Sequence, residues 1–221
     1  MSNPRIYTPA CLAQALSENT AIELDEQASQ HLLRVLRLPV GAPIRLFNGD
    51  GHEYSALISS ATKKQATVTL ESASKPDASI PLNIHLGQVI SKGDRMDFTI
   101  QKATELGVSS ITPLWSERCD VRLKGDRIEK KQQHWQRIAI SACEQSGRNR
   151  IPEILPAKGL AQWLDNIEAD KKLVLHPHNQ QPLDSSSAVN SLALLVGPEG
   201  GFTEAEIQLA IQEGFEGLLL G

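Results

Sequence analysis

The chain predicts an α/β fold with a mainly parallel sheet, preceded by a small β-barrel. Three observations lead there. Short alternating strands joined by polar turns fill the first third of the 221 residues. Strands then alternate with helices, the pattern of crossover-connected parallel sheets. A short apolar run, Leu192–Val196, leads into Gly197-Pro198-Glu199-Gly200-Gly201 and then Phe202-Thr203. That is a buried strand, a glycine turn and a helix start, the place where open α/β sheets bind ligands.

Residues 25–38 read as a helix, with Ala28, Leu32, Val35 and Leu36 at helical spacing and Pro39-Val40-Gly41 as the stop. Ile44–Phe47 runs into Asn48-Gly49-Asp50-Gly51, a hairpin signal, and return strands follow over 53–59 and 66–70. The polar stretch 72–81 holds two prolines and marks the domain boundary. This sets a barrel over 1–72, a linker over 73–81 and a second domain over 82–221. The second domain reads as a strand over 82–90, a helix over 94–106 closed by Gly107, and a strand over 110–114. A long helix over 127–146, a short one over 160–167 and a strand over 172–175 come next. The strand at 192–196, a helix over 204–215 and a last strand over 217–221 complete it.

The Gly-Pro-Glu-Gly-Gly loop differs from known phosphate cradles. It lacks the G-x-G-x-x-G order, and no Gly-Lys-Ser/Thr follows. Glu199, Glu204 and Glu206 would repel an anion, so a neutral or cationic ligand fits better, S-adenosylmethionine (SAM) being one. Thr203 and Glu206 form a capping-box pattern. A purely structural turn remains the alternative. Leu175-His176, Val196-Gly197 and Leu220-Gly221 each end an apolar segment in a turn and, side by side, would form one pocket.

Net charge is −4, unevenly spread: 117–150 carries nine basic and five acidic side chains, 151–221 three and ten. An acidic chain is a poor non-specific nucleic-acid binder, yet a local basic segment can be an RNA footprint or simply a solvated helix face. Arg34 and Arg37 by the barrel and Arg122 and Arg150 in the basic segment are the RNA-contact candidates. In Glu144-Gln145-Ser146-Gly147-Arg148, Arg148 suits a phosphate or base carbonyl and Gln145 a base edge, with Arg118 able to join them. An i,i+4 pair of Glu144 with Arg148 is the structural alternative. Three distant cysteines fit neither a disulfide framework nor a zinc site, and no metal is expected. A reducing cytoplasm is the expected compartment, and no stretch is apolar enough to span a membrane.

Five stretches, in order, resemble the bacterial family that makes N3-methyluridine in small-subunit ribosomal RNA, a branch of the SPOUT or α/β-knot methyltransferases. They are His31–Arg37, Lys102–Val108, Glu117-Arg118-Cys119, Glu144–Arg148 and Val196–Phe202. The resemblance implies a PUA-like barrel that helps bind RNA, a SAM-binding trefoil-knot domain, and a homodimer whose active site draws on both subunits. It implies a cofactor pocket of Leu175, His176, Gly197, Glu199, Gly200 and Gly221. The chemistry of N3 methylation itself calls for a cationic donor to the flanking carbonyls, Arg148 or Arg118, with Glu144 as the candidate base and Gln145 orienting the ring. The 16S ribosomal RNA or small subunit is the implied partner. The family continues past its last strand with a segment that walls the cofactor, so a chain ending at Gly221 is expected to be impaired.

Overall fold

The computed structural model describes residues 3–75, 82–121, 125–175 and 188–218. It forms two compact units: Met1–Ser79 with Cys143–Ile151, and Ile80–Ala142 with Pro152–Gly221.

The first unit opens with β1 (Arg5–Tyr7), α1 (Leu12–Glu18) and β2 (Ile22–Glu23). After α2 (Glu26–Gln30) and a π-helical turn at His31–Val35 come β3 (Pro43–Phe47), β4 (Tyr54–Ala61) and β5 (Ala66–Ala73). The sheet order is β1-β3-β4-β5-β2. Among the described pairings of this sheet β1–β3 alone is parallel, with Arg5 opposite Arg45. Alternation places Tyr54, Ala56 and Ile58 of β4 and Ala66, Val68 and Leu70 of β5 on one buried face. Leu12, Leu24 and Leu32 pack into the same core.

The helix expected over 25–38 is shorter than its spacing suggests. Asp25 caps it, its Oδ1 accepting the Ala28 N–H at 2.8 Å. The π turn then adds a residue to the turn and advances the side-chain phase. Leu32 stays buried, while Val35 and Leu36 turn outward, 67% and 38% exposed. Arg37 ends the turn at φ +53°, ahead of the expected Pro39 stop.

The second unit runs β6 (Asn83–Val89), α3 (Asp94–Leu106), β7 (Ser110–Trp115) and α4 (Asp126–Ser146). It continues with β8 (Glu153–Ile154), β9 (Lys158–Gly159), α5 (Leu160–Asn166) and β10 (Lys171–Leu175). Last come β11 (Ser191–Val196), α6 (Glu204–Gln212) and β12 (Glu216–Leu218). The order is β12-β10-β11-β6-β7-β8, with β9 also on β7, and every described pairing is parallel. The expected apolar strand, β11, lies inside this sheet between β10 and β6. Along α4, Trp135, Ala139 and Ala142 are buried, as are Met96, Ile100 and Thr104 on α3. Among the described residues no helix is long and apolar enough to cross a membrane.

Candidate active site

Strands β12, β10 and β11 are neighbours in one direction, with Val174 opposite Leu195 and Leu175 opposite Leu218. Their carboxyl ends therefore share one sheet edge, while the turns that follow β10 and β12 lie outside the described residues. Of the expected pocket, Leu175, Gly197, Glu199 and Gly200 are described; His176 and Gly221 lie outside the described residues.

The loop leaving β11 is tightly folded. The Gly201 N–H donates to the Pro198 carbonyl at 2.9 Å, with Gly201 at φ +67°. A Cβ on Gly197 would come within 3.0 Å of the buried Phe202 ring, so a side chain there would displace the ring or the loop. The capping box is formed: Glu206 Oε2 accepts the Thr203 N–H at 2.9 Å, and Thr203 Oγ1 accepts the Glu206 N–H at 3.3 Å. Glu206 Oε1 also accepts the Glu117 N–H at 2.8 Å. This carboxylate is thus held by main-chain donors rather than facing outward as a free repelling charge.

Two arginines are bonded to the loop. Arg95 on α3 donates to Glu199 Oε1 at 2.9 Å. The Glu199 carboxyl lies below its ordinary range because its own backbone N–H stabilises the anion, aided by Arg95 and the Lys92 N–H. Arg118, after β7, donates from Nη1 to the carbonyls of Gly200 at 2.9 Å and Phe202 at 3.3 Å. Sequence reasoning grouped Arg118 with residues 144–148; its guanidinium is bonded to the glycine loop.

The segment 143–151 belongs to the first unit. Gly147 releases it from α4 at φ +82°. Glu144 Oε1 accepts the Tyr7 N–H at 3.0 Å, so its carboxylate is anchored on β1. Gln145 is exposed and Arg148 half-buried. The exposed Arg150 lays its guanidinium over Gly51, where a Cβ would meet Nη2 at 2.9 Å. The Cys143 thiol, donating to the Arg150 carbonyl at 3.5 Å, is pushed up to about 11 by burial, against the opposing charges of Arg5 and Arg148. Of the other RNA candidates, Arg34 donates to the Lys63 carbonyl at 3.4 Å, Arg37 is exposed, and Arg122 lies outside the described residues. Arg5, Tyr7 and Arg95 escaped the sequence reading, because each meets its partner across more than a hundred residues with no local pattern to mark it.

The chain thus combines a small β unit and a parallel α/β unit with a glycine loop at its carboxyl edge. Two family models match in that order, an RNA methyltransferase PUA domain over residues 24–71 and an RNA methyltransferase domain over 78–221. "Ribosomal RNA small subunit methyltransferase E" of Buchnera aphidicola from Schizaphis graminum is 36% identical over 220 residues, covering 99% of this chain and 88% of that protein. A Neisseria gonorrhoeae ribosomal RNA small subunit methyltransferase E, bound to S-adenosyl methionine, superposes with TM-score 0.91 at 41% identity, covering 100% of this chain and 90% of that one. A Legionella pneumophila protein with SAM bound as cofactor gives 0.92 at 40% identity, with the same coverage. This chain belongs to the ribosomal RNA small subunit methyltransferase E family of the SPOUT superfamily.

Proposed function

We propose that the chain is a SAM-dependent methyltransferase acting on N3 of a uridine in 16S ribosomal RNA of the small subunit, as a cytoplasmic homodimer. The observation that carries this reading is the glycine loop after β11, set between the aligned ends of neighbouring parallel strands in a chain of this family. The loop suits SAM. Gly201 has open space where a side chain would lie, and the guanidiniums of Arg95 and Arg118 are taken up by the loop's own Glu199 and carbonyls.

When bound, SAM supplies an electrophilic methyl group on a sulfonium. Leu175, His176, Gly197, Glu199, Gly200 and Gly221 would hold it. Methyl transfer is an in-line displacement, so the chain's main contribution is placement. Arg148 donates to the uracil carbonyl where negative charge gathers as N3 loses its proton. Glu144 takes that proton, and Gln145 orients the ring. Arg118 keeps the loop in shape. The base must be unstacked to reach these groups, and Arg34, Arg37, Arg122 and Arg150 bind the surrounding RNA backbone.

The test is incubation of small subunits and of free 16S RNA with methyl-labelled SAM, followed by nucleoside digestion and mass spectrometry. Label in 3-methyluridine is expected. Label in another nucleoside would overturn the target assignment, and absence of SAM binding would leave only an RNA-binding module.

A further inference from the structure

The last turn of a helix leaves carbonyl groups without intrahelical donors, and helices commonly meet them with a local cation. Helix α4 has no basic residue in its last turn. The donor comes instead from Arg5, about 140 residues earlier by chain position. Its Nη1 reaches the carbonyls of Cys143 at 2.7 Å and Glu144 at 3.2 Å. Its Nη2 reaches the Arg148 carbonyl at 3.2 Å and Asn149 Oδ1, and its Nε the Glu53 carboxylate at 2.6 Å. A guanidinium carries five N–H donors, and these are five acceptors. The group lies over the Phe47 ring, 4.7 Å from its centroid, with the side chain 11% exposed. Two residues along β1, the Tyr7 N–H fixes the Glu144 carboxylate.

From this geometry we infer that Arg5 is the positioning residue of the catalytic segment, setting the path of residues 143–149 and thereby the places of Glu144, Gln145 and Arg148. The inference rests on the role proposed above for those three side chains. Arg5 touches neither reactant; it acts through the main chain of the segment that does. Its guanidinium binds both sides of the Gly147 turn, Cys143 and Glu144 before it and Arg148 and Asn149 after it. An ammonium presents three donors from one point and cannot span these acceptors, so lysine is not an equivalent here.

The variant Arg5→Lys keeps the charge and removes the fork. Methyl transfer to small subunits is measured at saturating SAM across RNA concentrations, SAM affinity by calorimetry, and amide exchange by mass spectrometry. Arg5→Lys is expected to lower kcat by about 10- to 100-fold, with KM for RNA and the SAM Kd changed by no more than about twofold, the signature of misplaced reacting groups. Amides of 147–150 exchange faster. Normal kcat despite faster exchange there would overturn the inference, as would a parallel loss of SAM affinity, which marks general unfolding. Should Arg5→Lys fail to fold, Asn149→Ala carries the same test, because it deletes one acceptor and leaves Arg5 in place. A wild-type chain that binds SAM but transfers no methyl group defeats the functional reading itself, and the inference with it.

Discussion

Glu206 accepts the main-chain N–H of Glu117 at 2.8 Å, joining the start of α6 to the turn after β7 across 89 residues of sequence. The other oxygen of the same buried carboxylate takes the Thr203 N–H. Replacing it by an amide turns one acceptor into a donor facing a donor. Glu206→Gln is expected to lower the stability of the second unit by about 1–3 kcal/mol. Urea unfolding followed by tryptophan fluorescence checks this, and an unchanged midpoint would remove the tether from the account.

The two candidate catalytic arginines should separate in their effects. Arg118→Ala removes the donor to the Gly200 and Phe202 carbonyls, so the loss should fall on SAM affinity, by about 10-fold or more for two charge-assisted hydrogen bonds. Arg148→Ala should leave SAM affinity intact and lower single-turnover methyl transfer by about 100-fold, as for a removed transition-state donor. Calorimetry and rapid-quench assays on the two variants provide the comparison; the reverse pattern would exchange their roles.

Glu199 gives a pH prediction with a definite sign. Its folded-state carboxyl titrates below the ordinary 4.5 because the anion is stabilised by its own backbone N–H, by Arg95 and by the Lys92 N–H. A depressed acid stabilises the fold above its unfolded pKa, and that contribution disappears as pH falls through the folded value. The pair is exposed, so the effect is small and screened by salt. Wild type should melt slightly above Glu199→Gln at neutral pH, with the gap closing below about pH 4. A gap that persists in acid would mean the ion pair is not its source.

Cysteine chemistry provides a simple probe of packing. Cys11 is exposed, whereas Cys119 and Cys143 are buried, and the Cys143 thiol is pushed up to about 11 by burial. Thiolate is the reactive form. Iodoacetamide at pH 8 should therefore label Cys11 in the native chain and reach the other two only in denaturant. Native labelling of Cys143, read by peptide mass spectrometry, would show that the Arg5-held segment opens readily.

What the sequence makes legible is local. Residues 94–106 read as a helix because apolar spacing and Gly107 agree, and α3 has those bounds. The Thr203 and Glu206 capping box is visible three residues apart, and it forms. The helix over 25–38 misleads because spacing alone cannot register the one-residue advance of a π turn. Strands of two or three residues, such as β2 and β8, carry too little alternation to detect. Within the candidate site, the glycine loop announces itself through composition. The long-range supports do not: Arg95 and Glu199 at the loop are 104 positions apart, and Arg5 and Cys143 at the end of α4 are 138. Nothing in either neighbourhood distinguishes these arginines from ordinary surface cations.

The first unit is not continuous along the chain: Met1–Ser79 is joined by Cys143–Ile151. During vectorial synthesis, the five acceptors of Arg5 therefore arrive in two instalments. Glu53 emerges early, while the four contacts on the α4 end wait until residue 149 has left the ribosome. At ordinary elongation rates that wait lasts about 5–20 s, longer than most secondary structure needs to form. The small β unit must spend this interval with a guanidinium beside Phe47 and most of its acceptors not yet made. Its final locking thus depends on translation through the middle of the sequence that encodes its neighbour.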